Sequence, residues 1–180
     1  MRGTTSGRSM IGIAFVRGFL WPGACLVLSP APGHLMDRRD YVLAVLAAAD
    51  GASLGPVQVQ KLFFLLDERI PELVGGPHFD FKPCAYGPFD ARIYHDLDAL
   101  ARSELVEIST AGFARFRTYR ATPAGQTRGS ELLGALPDNA AAYIRKLSEW
   151  VRSLSFASLV SAIYQAYPAM RANSVFRDAA

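Results

Sequence analysis

Apolar residues recur at helical spacing from Asp40 onward. Tyr41, Val42, Val45 and Leu46 form one stripe, which the run DGASLG at 50–55 breaks. Pro56 suits the first turn of a second helix, VQVQKLFFLLDERI, and Pro71 with the Gly75-Gly76-Pro77 cluster ends it. Phe79 and Phe81 then flank Asp80 in an extended stretch. A third helix follows the loop KPCAYGP, with Ile93, Leu97, Leu100 and Ala101 as its apolar face. Asp90 is placed to cap it, and Phe89 and Tyr94 stand at the positions of a hydrophobic staple. Beyond it LVEIS alternates as a strand, Thr110-Ala111-Gly112 supplies a turn, and FARFRTYRA returns as a second strand. Three more helices are predicted over 123–135, 138–153 and 156–167. Ile144, Leu147, Val151 and Leu154 keep one face apolar, and Asp138 or Ser155 serves as a cap.

Three helices followed by a β-hairpin is the element order of a winged helix, and no linker separates the later helices from the hairpin. The expected fold is therefore mainly α with a small β-hairpin: a winged-helix-like domain with packed C-terminal helices. One domain spans 36–180, its core at 36–125 and its helical tail at 126–180. A chain of 180 residues, about half of them apolar, is long enough for one such core.

Charge changes the picture once it is located. The net charge is +3, but residues 1–35 contain Arg2, Arg8 and Arg17 and no acid. Sixteen basic and sixteen acidic residues remain from Met36 onward, so the apparent basicity belongs to the leader and gives no whole-domain argument for nucleic acid. The leader has an apolar run resembling a secretory signal, interrupted by Arg17 and by Trp21-Pro22-Gly23, and no stretch approaches the ~20 residues of a membrane helix. Translation starting at Met36 is the reading adopted, with a signal segment or a structured arm as the alternatives. Cys25 and Cys84 give no disulfide framework, which favours a reducing, cytoplasmic setting without membrane association.

Candidate chemistry concentrates in residues 78–120. His78, Asp80, Cys84, Asp90 and His95 lie close in sequence, yet none has the i, i+4 or C-x-x-C spacing that brings metal ligands together, so no metal and no catalytic residue is expected. The third helix offers Asp90, Asp96, Asp98 and Glu104 against Arg92 and Arg102, a poor composition for a DNA major groove. Arg115, Arg117 and Arg120 on the hairpin are the candidates for phosphate contact, or else an ion-paired edge that discourages aggregation. Within the loop, Gly87 is suited to a positive φ and Pro88 fixes the next residue. Tyr86 either anchors the loop on Phe63 or Phe64 or presents an aromatic to a partner. Lys61, inside an apolar helix, either snorkels from the core edge or meets a carboxylate such as Asp80.

Two likenesses enter here. YRATPAG, Tyr119 to Gly125, resembles the Y-x-x-T-x-x-G exit from the wing of many winged-helix regulators. More broadly, QKLFFLL, FDFKPCAYGPFDARIYHDLDAL, LVEI, YRATPAG and LVSAIYQAYPAM together resemble the Panacea-domain, or SocA-like, antitoxin family. Lys61, Leu62, Phe63, Tyr86, Gly87, Pro88 and Tyr94 carry that likeness. Cys84 and Ala85 depart from it where the family often has Trp before the Y-G-P turn. The resemblance implies a protein that binds and neutralises a toxin, with Tyr86, Gly87, Pro88, Tyr94, Asp96 and Asp98 as the expected partner-binding residues. The expectation is thus a toxin-binding module, not an enzyme, without cofactor. A DNA-binding regulator using the hairpin arginines is the alternative, and a small hydrolase or nuclease using the His78 to His95 cluster is the third reading.

Overall fold

The computed structural model describes residues 36–111 and 116–177. The leader, the hairpin tip and Arg115 lie outside them. The elements run α1 (Arg38–Ala47), α2 (Pro56–Arg69), a single turn α3 (Pro71–Val74), β1 (Lys82–Cys84), β2 (Gly87–Phe89), α4 (Arg92–Arg102), β3 (Val106–Ala111), β4 (Phe116–Ala121), α5 (Pro123–Gly134), α6 (Asp138–Ser153) and α7 (Phe156–Ala166). A 3-10 turn, Pro168–Arg171, follows. The fold is mainly α with small β-hairpins, as the periodicity predicts.

The stripe expected on α1 is in fact a helix buried on every side from Tyr41 to Ala47. Its neighbours are α4, α5 and α6, so α1 is the centre of the molecule rather than one wall of it. Gly129 of α5 makes the closest approach possible: a Cβ there would stand 2.5 Å from Ala47 Cβ and 2.7 Å from the Leu43 carbonyl oxygen. Carbonyls at and just beyond the α1 C-terminus accept from amides of the following turn and, in addition, from side chains of later helices. Gln126 Nε2 donates to Ala47 O and Arg152 Nη1 to Ala49 O, both at 2.7 Å. The C-terminal helices are thereby tied to the central one.

Two hairpins are present where the pattern predicts one. β3 and β4 pair antiparallel with Val106 opposite Ala121 and Ala111 opposite Phe116. Leu54, between α1 and α2, exchanges two 2.9 Å backbone hydrogen bonds with Tyr119 on the other edge of β4. The second hairpin, β1 with β2, encloses the Tyr86 turn and pairs Cys84 with Gly87. Strands of three residues carry too short an alternation to be seen in sequence.

Local signals at the helix ends hold. Asp90 Oδ1 accepts from the Arg92 amide at 2.8 Å, and the Phe89 and Tyr94 rings lie 5.8 Å apart. Thr122 caps α5 through Gly125 N, and Ser155 caps α7 through Ser158 N. Asp138 is the first residue of α6 and makes no side-chain cap.

Candidate functional site

Three polar residues on the buried part of α2 reach into the segment 78–90 and bond its backbone. Asp67 Oδ2 accepts from His78 N at 3.0 Å and Phe79 N at 2.9 Å. Gln60 exchanges two 3.0 Å bonds with the Asp90 main chain, one from its own Nε2 to Asp90 O and one from Asp90 N to its Oε1. Lys61 Nζ donates to Pro88 O at 3.0 Å. Each of these groups would be costly to bury unpaired, so together they fix the path of the loop.

Lys61 neither snorkels nor meets Asp80, whose carboxylate pairs with Lys82 instead. It is 2% exposed, and burial lowers its pKa from 10.5 to about 7, with Cys84 acting in the opposite sense. Gly87 closes over it with φ +97, the conformation expected of it. A Cβ at Gly87 would lie 3.3 Å from Tyr164 Cε1 and 3.4 Å from Lys61 Nζ, tight but admissible contacts, so it is φ that calls for glycine here.

The C-terminal segment straps this turn from outside. Val175 N donates to Ala85 O at 2.9 Å and Asn173 Nδ2 to Pro83 O at 3.0 Å. The Tyr164 hydroxyl donates to Ser174 Oγ at 2.6 Å. Tyr86 does not rest on Phe63 or Phe64. Those rings are taken by Tyr41 and Phe79, and by Phe81 and Tyr167. Tyr86 instead meets Phe156 at the start of α7, edge to face at 5.2 Å, and both stay open to solvent, 44% and 47% exposed.

The expected partner-binding residues therefore separate. Tyr86 is at the surface, while Gly87 and Pro88 are buried and frame it. Tyr94 is half-buried, stacked on Tyr119 at 5.9 Å, and joins α4 to β4. Asp96 does not belong to an acidic outer face. It is 5% exposed and takes two hydrogen bonds from Arg38, at 2.6 and 3.1 Å. Asp98 pairs with Arg117 at 3.3 Å, and Arg120 pairs with Glu107 directly across the ladder. Asp96, Asp98, Arg117 and Arg120 are thus all ion-paired within the fold, and only Asp98 with Arg117 joins α4 to the hairpin. Helical spacing places Asp96 near the apolar face, but its partner Arg38 is 58 residues away and leaves no local trace.

A second buried cluster sits behind the site. Tyr41 stacks on His78 at 4.2 Å, and burial raises the pKa of both the Tyr41 phenol and the Asp67 carboxyl. His78 Nε2 lies 2.9 Å from Val74 O, so this histidine is a packed one. Among the described residues no group of three His, Cys, Asp or Glu side chains is arranged to hold a metal, and no helix is long and apolar enough to cross a membrane.

No family model matches the sequence. The chain is similar to proteins named DNA ADP-ribosyl glycohydrolase from Mycobacterium tuberculosis and Mycobacterium bovis. It is 28% identical to each, over 68% of this chain and 36% of the relative. The chain thus spans little more than a third of the length of these curated relatives. Their name corrects the expectation of a protein that is not an enzyme, since both relatives carry the name of one. That expectation rested on the lack of closely spaced catalytic residues, and an enzyme site assembled from distant positions has no such spacing.

Proposed function

We propose that this chain is an antitoxin-type module of a DNA ADP-ribosyl glycohydrolase system, acting in the cytoplasm. It binds and neutralises a toxin that places ADP-ribose on DNA, the modification that such a glycohydrolase removes. The observation that carries this reading is the rigid, strapped turn that presents Tyr86, set among the residues that resemble Panacea-domain antitoxins; the name of the two mycobacterial relatives contributes only the chemistry of the mark, ADP-ribose on DNA. Lys61 to Phe63, Tyr86 to Pro88 and Tyr94 carry that resemblance. Blocking the modifier and removing its mark are two halves of one protective task. The rigid, strapped turn that presents Tyr86 is the surface best suited to the first half.

A second reading is favoured by the relatives' name: the chain itself hydrolyses the bond between ADP-ribose and DNA. A DNA regulator acting through the hairpin finds less support, because Arg117 and Arg120 are already engaged by Asp98 and Glu107. One experiment covers these readings. The chain is co-expressed with a DNA ADP-ribosyltransferase toxin, and the purified protein is incubated with an ADP-ribosylated oligonucleotide. Growth rescue with co-purification of the transferase supports neutralisation by binding. Release of ADP-ribose supports hydrolysis by the chain itself. Absence of both refutes the proposed function.

A further inference from the structure

Behind the turn, two buried groups face one another with hydrogen-bonding capacity left over. Tyr41, on the central helix α1, has no exposed surface, and Asp67, on α2, is 7% exposed. Asp67 gives one carboxylate oxygen, Oδ2, to the amides of His78 and Phe79. Its other oxygen, Oδ1, and the Tyr41 hydroxyl are both buried and both without a hydrogen-bond partner. Gly76 closes over Oδ1: a Cβ on it would stand 3.5 Å from that oxygen and 2.9 Å from His78 N. The Tyr41 ring is held from two sides, stacked on His78 at 4.2 Å and edge to face with Phe63 at 5.6 Å.

A buried carboxylate is costly unless a cation or several donors meet it. The groups that face Asp67 are the Tyr41 hydroxyl from α1, the His78 ring from the loop, and Glu68 beside it on α2. None of them is an Arg or Lys, and Glu68 works against a second negative charge. Burial accordingly raises the carboxyl's pKa above its ordinary 3.8, with Phe79 and His78 acting in the opposite sense. Between 3.8 and that raised value the carboxyl is ionised when the loop is open and protonated when it is closed. The hold on the loop therefore weakens as pH rises through the interval. Gln60 and Lys61 grip the far end of the loop, at Asp90 and Pro88, so Asp67 is the α2 side chain at its entry.

We propose that Tyr41 and Asp67 form a proton-operated latch at the entry of the loop that carries the Tyr86 turn. With its proton in place Asp67 is a neutral group that accepts from the His78 and Phe79 amides and donates from Oδ1 to the Tyr41 oxygen. When the proton leaves for solvent, Oδ1 is an acceptor only and the Tyr41 hydroxyl turns to donate to it. The charge then lies buried with only the His78 ring as a counterweight. The entry opens more often, and the turn loses one of its holds on α2. The latch acts on the loop's own main chain, so it stands apart from the identity of any partner.

The test follows amide hydrogen exchange of His78 and Phe79 by NMR in the full chain, from about pH 4 to about pH 8, with the intrinsic pH dependence of exchange divided out. Protection of both amides should fall as pH rises, by up to about tenfold per unit where Asp67 ionises. The Asp67 carboxyl carbon signal, followed in the same samples, should titrate above 3.8. Tyr41→Phe keeps the ring and its stack but removes the donor to the charged form, so the fall should move to higher pH. Asp67→Asn removes the titration and should leave protection flat. Protection indifferent to pH, a fall that persists in Asp67→Asn and so belongs to His78, or an unshifted Tyr41→Phe profile would each overturn the latch. Should Asp67→Asn not fold, the wild-type carboxyl signal decides, and a midpoint at or below 3.8 overturns the proposal.

Discussion

Replacing Lys61 by methionine keeps most of the stem's volume and removes the amine, which makes it a direct probe of the turn. Burial lowers the folded-state pKa of Lys61 from 10.5 to about 7. Between those values the unfolded chain holds a proton that the folded one releases, so folding of the wild type is favoured as pH rises. The penalty is fully present below about pH 7 and is lifted by the time the pH reaches 10.5. Each pH unit in that interval carries about 1.4 kcal/mol, and the whole span at most about 5 kcal/mol. Against this, methionine leaves Pro88 O without its buried donor, a loss of about 1–3 kcal/mol at every pH.

The two effects oppose one another and only one depends on pH, so the stability difference should change sign. Near pH 6 Lys61→Met should match or exceed the wild type. Near pH 10 the wild type should lead by about 1–3 kcal/mol. Urea unfolding of both proteins across that range measures the difference, since titration of groups remote from Lys61 is common to the two. A difference that does not vary with pH would show that Lys61 keeps an ordinary charge in the folded protein, and would refute the closed turn.

Gly87→Val should cost about 1–3 kcal/mol, from the positive φ and from crowding Tyr164 and Lys61; an unchanged thermal melt would contradict both. Asp96→Ala breaks a pair whose carboxylate is buried and whose guanidinium is partly solvated, so a loss of about 1–3 kcal/mol is expected by urea unfolding. Asp98→Ala, at an exposed pair, should cost under about 1 kcal/mol, and equal effects at the two sites would deny the asymmetry. Asp67→Asn retains an acceptor for the His78 and Phe79 amides, whereas Asp67→Ala leaves both unsatisfied. The alanine variant should therefore be the less stable by about 2 kcal/mol or more in the same assay.

What the sequence shows and hides follows from the range of each interaction. Helix periodicity, the Ser155 cap and the Phe89–Tyr94 staple act within a few residues, so all are legible. Gly87 announces its φ because few other residues tolerate it. The β1–β2 hairpin is hidden, since it depends on a strap from Asn173 to Phe176 about 90 residues away. Asp96 appears as a surface acid until Arg38 is seen beside it. Phe156 and Val175 look like ordinary apolar positions at the ends of a helical tail. Only the fold places them beside Tyr86, and no local spacing announces that contact.

The way α2 grips the loop explains how such a surface can be rigid without fixing its own chemistry. Gln60, Lys61 and Asp67 all bond main-chain atoms, at Asp90, Pro88, and His78 with Phe79, and the C-terminal strap likewise bonds the carbonyls of Pro83 and Ala85. None of these contacts requires a particular side chain at Cys84, Ala85 or Tyr86. Backbone bonds therefore hold the turn in place, while the residues at its tip remain free to be set by the partner they meet. Cys84 and Ala85, where the resembled antitoxin family often carries Trp, occupy that free tip. Substitution at either position should therefore change the surface of the turn and leave its frame in place.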